Sequence, residues 1–215
     1  MLVEAAVETP GSAIAAERSG AGRVELCANL DVGGTTPAAE LITAMTTQIE
    51  IPVFVLVRPR AGGFVYSEDE TQVMKRDVEI ARSTGADGIV TGALDDNGRV
   101  EIATLRALVE AARGLPVTFH RAFDVASDRA QALEVLIDAG VSRVLTSGGA
   151  NTALEGVDTI ARLVEQANGR IIIVAGGGIR EHNADEIIAR SGVTEIHARF
   201  IDEAGMRALV DLTTS

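Results

Sequence analysis

Short runs rich in Val, Ile and Leu alternate along the chain with longer segments whose apolar residues recur three or four positions apart. Runs of the first kind predict β-strands, and segments of the second kind predict α-helices. The eight predicted strands are Leu2–Val7, Arg23–Cys27, Val53–Arg58, Gly88–Thr91, Val117–His120, Arg143–Ser147, Ile171–Ala175 and Thr194–Ala198. Strand and helix alternate throughout, which is typical of repeated βαβ units.

Four predicted helices end in the same way, with a Gly, a short turn and then a strand. These junctions precede strands two, four, six and eight and have the sequences SGAGRVEL, TGADGIVT, AGVSRVLT and SGVTEIHA. The alternation indicates a weak fourfold repeat of a βαβα unit, and four such units supply eight strands.

Eight strands of this kind can form a closed barrel or an open, doubly wound sheet. Two features favour the barrel: polar residues lie near the C-terminal ends of strands all along the chain, and a Gly-rich loop follows strand seven. A doubly wound sheet would concentrate such residues at one switch point, and no GxGxxG motif follows strand one. We therefore predict an α/β fold of the TIM (β/α)8 barrel class, with residues 1–215 forming a single domain.

One connection of the predicted barrel is unusually short. Strand eight is expected to end near Ala198 and the last helix to begin at Ile201 or Asp202. Loops on this face of a barrel normally carry its function, so an almost absent loop is unexpected. Either the loop near residues 199–201 is very short or residues are missing there.

Several helix starts are predicted from capping residues. Thr9 and Thr36 each precede a Pro, which places a capping hydroxyl before a residue that has no N–H to satisfy. Ser67 and Glu70 have the spacing of a capping box. Asn151 is the predicted cap of the helix that runs through residue 164.

Charge and composition exclude some classes of function. The formal net charge is −12 and no basic run is present, which argues against binding to nucleic acid or to an anionic membrane surface. No apolar run approaches the ~20 residues of a membrane-spanning helix, and the amino terminus lacks the pattern of a signal peptide. We therefore expect a cytoplasmic protein. Cys27 is the single cysteine, so an intrachain disulfide is impossible.

Three residues are candidates for acid–base chemistry. Glu4 lies on strand one, Glu25 lies on strand two, and His120 ends strand five. Alternation places Glu25 and Cys27 on the inner face of strand two, because Val24 and Leu26 suit the helix layer. The alternative is structural: the carboxylates form internal ion pairs with arginines, and His120 is a satisfied core residue.

A second group of candidates could bind an anion or an anionic substrate. Arginine forks match carboxylate and phosphate groups, and backbone amides of Gly-rich loops can surround an anion. These candidates are Arg58, Arg60, Ser147, Gly148, Gly176, Gly177 and His197. The alternative is that both arginines pair with Glu4 and Glu25 and that the glycines serve only tight turns.

Two further predictions concern a local ion pair and a metal. Arg121 is expected to pair with Asp124, close to the site. Metal ligands are sparse, because CxxC and HExxH motifs are absent and the three histidines are scattered along the chain. Cys27 is the candidate metal ligand.

Several motifs together resemble the CutC family, whose members are known as copper homeostasis proteins. They are EAAVET, GAGRVELC, GGTTP, VRPRAGGFVYS, VTGALD, VTFHRAFD and RVLTSGG, and they span nearly the whole chain in order. The resemblance implies a (β/α)8 barrel, a cytoplasmic location, self-association and a role in copper handling.

The chain departs from the family in two respects. Family proposals for copper involve cysteines on the first two strands, and here only Cys27 matches, since Ala5 and Ala6 stand in strand one. The family also usually has a longer segment after strand eight. Cu(I) prefers thiolate and thioether ligands, so one thiol with histidines nearby is a poor Cu(I) site.

Three functional hypotheses follow. The first is a copper homeostasis protein that binds a copper ion through Cys27, with His120 or His197. The second is a barrel enzyme that acts on a small anionic, phosphate- or carboxylate-bearing metabolite by acid–base chemistry. The third is a homo-oligomer in which the charged mouth is a scaffold for assembly.

Overall fold

Eight parallel strands pair in chain order and close into a barrel. The structure is a computed structural model that describes residues 1–214. The strands are Leu2–Val7 (β1), Arg23–Leu26 (β2), Val53–Leu56 (β3), Gly88–Thr91 (β4), Val117–Phe119 (β5), Arg143–Thr146 (β6), Ile172–Gly176 (β7) and Glu195–Arg199 (β8). The helices are Pro10–Arg18 (α1), Ala39–Thr46 (α2), Glu68–Ser83 (α3), Ile102–Ala112 (α4), Arg129–Asp138 (α5), Val157–Ala167 (α6), Ala184–Ser191 (α7) and Glu203–Thr214 (α8).

The predicted TIM (β/α)8 barrel class is confirmed, and six of the eight strands differ from their predicted bounds by one or two residues. β3 ends at Leu56 because the backbone of Arg58 turns towards the preceding loop, where its carbonyl accepts from the N–H of Thr36. β5 ends at Phe119 because His120 caps a short 3-10 helix, Arg121–Val125.

The capping predictions are confirmed where no backbone N–H from a distant part of the chain binds the capping hydroxyl. Thr9 caps α1, and Ser67 forms a capping box with Glu70 at the start of α3. Thr36 does not cap α2, because its hydroxyl accepts a hydrogen bond from the N–H of Arg58 instead. The cap predicted at Asn151 is also wrong, since α6 begins after Gly156.

The two faces of each strand have different surroundings. On β2, Val24 and Leu26 belong to the large apolar cluster between the barrel and its helices. Glu25 and Cys27 alternate with them and face the barrel interior, as predicted. A second, small apolar cluster fills part of that interior and contains Cys27, Phe54, Leu56 and Val90.

The connection after β8 is short. Residues 200–202 alone link Arg199 to the first residue of α8, so the helix begins one or two residues later than expected. Within residues 1–214, no helix is both long enough and apolar enough to cross a membrane.

Candidate functional site

A cavity of about 570 Å³ lies where the barrel meets the loops that follow the strands. Its polar and charged lining comes from β2, β3, β5, β7 and β8 and from the loops after them. These lining side chains are Glu25, Cys27, Arg58, His120, Arg121, Asp124, Arg180, His197 and Arg199. The fold therefore brings together most of the predicted candidates, although they are scattered along the sequence.

Strand register places Glu4 beside an arginine and a histidine. On the barrel wall Glu4 is the partner of Arg23 on β2 and of His197 on β8. Two positions further along β1, Ala6 is the partner of Glu25. The small side chain of Ala6 leaves room above it, so Glu25 and His197 can approach each other.

Ion pairs cross the barrel interior below the cavity. Arg143 and Arg23 both contact Glu195, with nitrogen to oxygen distances of 3.2 and 2.6 Å, respectively. Arg23 also contacts Glu4, and its guanidinium carbon lies 4.7 Å from the centre of the Phe54 ring. Each buried charge in this network therefore has an opposite charge beside it, as burial requires.

The network ends in a group of two carboxylates and an imidazole at the cavity floor. His197 Nδ1 lies 2.7 Å from Glu4 Oε1 and 3.4 Å from Glu25 Oε2. Glu4 and Glu25 are buried, and the side chain of His197 is 14% exposed. One ligand atom from each of these three residues can be chosen so that all lie within 4.8 Å of one another.

The two carboxylates differ strongly in acidity. Burial by itself raises the pKa of Glu4, but the hydrogen bond from His197 and the charge of Arg23 outweigh burial and lower it to about 2. Burial raises the pKa of Glu25 to about 7, because the opposing charge of His197 is too weak to compensate. Burial disfavours the imidazolium of His197, yet its hydrogen bond to Glu4 and the charge of Glu25 raise its pKa overall.

Cys27 lines the same cavity as a buried thiol. It is 1% exposed, and its Sγ lies 3.9 Å from the carbonyl oxygen of Glu25. Burial raises the pKa of the thiol well above its usual value, and the charge of Glu25 raises it further. The thiolate that Cu(I) prefers is therefore disfavoured at this position.

His120 is a neutral group with one free nitrogen. Burial and the charge of Arg58 lower the pKa of His120 to about 3. Its Nδ1 accepts a hydrogen bond from the N–H of Ala122, which assigns the ring proton to Nε2. Nε2 is buried and has no partner among the described residues. His120 can therefore donate a hydrogen bond from Nε2 near neutral pH, but it is not the imidazolium that a general acid would need to be.

The two arginines after β3 lie in different places. Arg58 lines the cavity, and its guanidinium donates to the carbonyls of Gly34 and Gly62 at 2.7 and 2.8 Å. Arg60 contacts Glu70 at 2.5 Å, has a side chain that is 41% exposed, and is not among the described lining residues. The alternative pairing of these arginines with Glu4 and Glu25 is therefore wrong, because Arg23 and His197 take that position.

The Gly-rich loop after β6 already contains an anion, the carboxylate of Asp124. Asp124 Oδ1 accepts from the N–H of Ser147 at 2.9 Å and from the N–H of Gly149 at 3.1 Å. Asp124 Oδ2 accepts from Arg121 Nε at 2.7 Å, so the predicted local pair is present. Gly148 donates instead to the hydroxyl of Thr146.

The loop after β7 lies open to the cavity. Gly177 and Gly178 are lining residues, whereas Gly176 is part of β7 and a Cβ there would lie 2.5 Å from Leu145. Gly178 belongs to the Gly-rich segment predicted after strand seven, whereas sequence reasoning missed Arg180 as a lining residue. The position of Arg180 two residues after that segment is the signal that could have identified it.

Comparisons with known proteins agree on one family. A model of the CutC family matches residues 1–202. The copper homeostasis protein cutC homolog of Homo sapiens is 48% identical over 208 residues, which cover 96% of this chain and 76% of that protein. A CutC family protein of Xanthomonas axonopodis pv. citri is 50% identical over 198 residues, which cover 92% of this chain and 82% of that protein.

Solved structures show the same fold. CutC from Streptococcus agalactiae superposes with a TM-score of 0.88 at 35% identity, covering 94% of this chain and all of that one. A phosphoribosylanthranilate isomerase from Thermotoga maritima reaches a TM-score of 0.65 at 10% identity, with 100% and 98% of the two chains covered. At that identity the likeness concerns the barrel fold alone.

Proposed function

Because the chain belongs to the CutC family, we propose that it serves in copper homeostasis and binds copper as its cargo in the barrel cavity. The names of its relatives motivate this proposal. The observation that carries it is the group formed by Glu4, Glu25 and His197, whose ligand atoms are close enough to share one ion. We further propose that copper is handled in the cytoplasm and that the protein self-associates.

The chemistry of these ligands favours Cu(II) over Cu(I). Carboxylate oxygen and imidazole nitrogen bind divalent first-row metals, and Cu(II) is the most tightly bound of that series. A Cu(I) site would need soft ligands, and Cys27 is a single thiol whose ionisation is opposed by burial. We therefore assign the ion to Glu4, Glu25 and His197, with Cys27 beside the site and not essential to it.

The surroundings of the group suit a metal ligand set. Arg23 contacts Glu4 Oε2, which leaves Oε1 directed at His197 and available to an ion. Such outer contacts orient ligating carboxylates and are themselves important for affinity. The bound copper would replace the proton that His197 Nδ1 now shares with the carboxylates, so binding should release protons.

A titration with Cu(II) against a competing chelator tests this function. We expect one tight site per chain in the unmodified protein, and an affinity at least about 100-fold weaker in Glu25→Gln and His197→Gln, since loss of an outer contact alone costs about 10- to 100-fold. His182→Gln is the matched control, because His182 is exposed and lies outside the cavity. Equal affinity in His197→Gln and His182→Gln, or loss of binding in Cys27→Ser alone, would contradict the assignment.

The alternative function, acid–base catalysis on a small anionic metabolite, uses the same cavity floor. Glu25 and His197 would then hold a proton between them where copper is proposed to bind. The two functions predict opposite effects of Cu(II). Cu(II) is the bound ligand if the protein handles copper, and it is an inhibitor that displaces the catalytic proton if the protein is an enzyme. Catalytic turnover that persists in the presence of a metal chelator would favour the enzyme.

A further inference from the structure

Two consecutive glycines of the loop after β7, Gly177 and Gly178, line the cavity. Gly177 and Gly178 have φ values of +111° and +72°, which side chains rarely tolerate. Among the residues that the structure describes, neither N–H donates a hydrogen bond within the protein. The carbonyl of Gly177 is engaged by the N–H of Ala153 at 2.8 Å, which fixes the loop. Consecutive free N–H groups of this kind form an anion-binding concavity.

The neighbouring loop shows what such amides bind in this molecule. In the loop after β6 the N–H groups of Ser147 and Gly149 are bound by the carboxylate of Asp124. That loop has an internal anion, and no carboxylate within residues 1–214 accepts from the N–H groups of Gly177 and Gly178. The comparison indicates that the second loop takes its anion from outside.

The guanidinium of Arg121 lies close to Gly177. Arg121 donates from Nε to Asp124 at 2.7 Å and from Nη2 to Ser147 Oγ at 2.9 Å. These two bonds fix the plane of the guanidinium and leave Nη1 without a partner among the described residues. Nη1 lies 3.5 Å from the position that a Cβ on Gly177 would take. The free donor therefore lies beside Gly177, and Arg121, Gly177 and Gly178 all line the cavity.

Two further groups make this end of the cavity attractive to an anion. Arg180 lines it, and within residues 1–214 the one hydrogen bond of its guanidinium goes to the carbonyl of Ile179, so no carboxylate neutralises it. His120 lines the same cavity, is 5% exposed, and has its Nε2 buried without a partner. A buried donor without an acceptor is costly, and a ligand oxygen would satisfy it.

We propose that Gly177, Gly178 and Arg121 bind the phosphate group of a small phosphorylated metabolite. Two N–H groups and one guanidinium N–H match the three free oxygens of a phosphate ester, whereas a carboxylate offers only two oxygens. Arg180 adds the net positive charge, since the charge of Arg121 is shared with Asp124. The cavity is large enough for a ligand that extends from this end towards Glu25 and His197.

Calorimetric titration with inorganic phosphate, at constant ionic strength in chloride, tests the site. We expect saturable binding of one phosphate per chain and at least about tenfold weaker binding in Arg121→Gln, because a charge-assisted hydrogen bond is lost. Arg170→Gln is the matched control, since Arg170 forms a surface pair with Glu134 and is not a lining residue of the cavity. Its affinity should stay within about twofold of the unmodified protein.

Two additional measurements keep the test decisive. When the phosphate titration is monitored by amide NMR, the resonances of Gly177 and Gly178 should shift. In a separate titration, acetate should bind more weakly than phosphate. If Arg121→Gln does not fold, Arg180→Gln takes its place with the same expectation. Unchanged glycine resonances, acetate binding as tight as phosphate, or unaltered affinity in these variants would overturn the proposal. Glu25→Gln should still bind phosphate, so this result is separate from the outcome of the copper titration.

Discussion

Glu4 and Glu25 show how one residue type acquires two chemistries in the same site. Strand alternation in the sequence predicts that Glu25 faces inward, and the structure agrees. The sequence does not indicate which carboxylate receives an arginine, because that depends on the register between strands. Register places Arg23 opposite Glu4, and Glu25 is left with His197 as its only ion-pair partner among the described residues. The pKa values diverge to about 2 and about 7 for this reason.

The raised pKa of Glu25 predicts a pH-dependent stability. The pKa is about 7 in the folded state and near its ordinary 4.5 after unfolding, so the folded state binds this proton more tightly. The contribution is complete below about pH 4.5 and is lost as the pH rises through about 7. Glu25→Gln keeps a neutral side chain at every pH. The free energy of unfolding of the variant minus that of the unmodified protein should therefore increase between about pH 5 and about pH 8. We expect the increase to reach up to about 3 kcal/mol.

Urea denaturation of both proteins at the two pH values checks this expectation. A difference between the variant and the unmodified protein that stays constant with pH would show that burial does not raise the pKa of Glu25.

The loops after β6 and β7 show what can be predicted for a structural element. Both are Gly-rich in the sequence, and both were expected to bind an anion through Ser147, Gly148, Gly176 or Gly177. The sequence cannot distinguish them, because the carboxylate that occupies the first loop comes from Asp124, in the segment after β5. The wrong cap at Thr36 has a similar origin, since a distant backbone group takes the hydroxyl.

Asp124→Asn should therefore destabilise the loop after β6. The carboxylate accepts hydrogen bonds from Thr146, Ser147, Gly149 and Arg121. In the variant an amide NH2 group replaces one oxygen, and because it is itself a donor it cannot accept these hydrogen bonds. We expect a loss of about 2 to 4 kcal/mol in the free energy of unfolding, measured by chemical denaturation.

Asp96→Asn is the control for this substitution, because Asp96 is exposed in a turn, and it should cost less than about 0.5 kcal/mol. Similar losses in the two variants would mean that Asp124 does not hold the loop.

At the scale of the whole molecule, periodicity in the sequence predicted eight strands alternating with helices, and the polar strand ends and the Gly-rich loop favoured a closed barrel over an open sheet. All eight predicted strands are present, with ends within two residues of the predicted ones, because each βαβ unit carries its own local pattern. The site was predicted less completely, since it depends on which residues face one another across the closed sheet. Arg60 shows this limit: it follows the same strand as Arg58 but contacts Glu70 and lies apart from the cavity lining. Self-association and the cytoplasmic location stay predictions.

Anomalous diffraction at the copper edge, from crystals of the full chain grown with Cu(II), tests the central claim most directly. The account predicts one copper ion per chain, bonded to His197 Nδ1 and to carboxylate oxygens of Glu4 and Glu25. A copper ion bonded to Cys27 without these three residues, or copper found only on the outer surface, would contradict it.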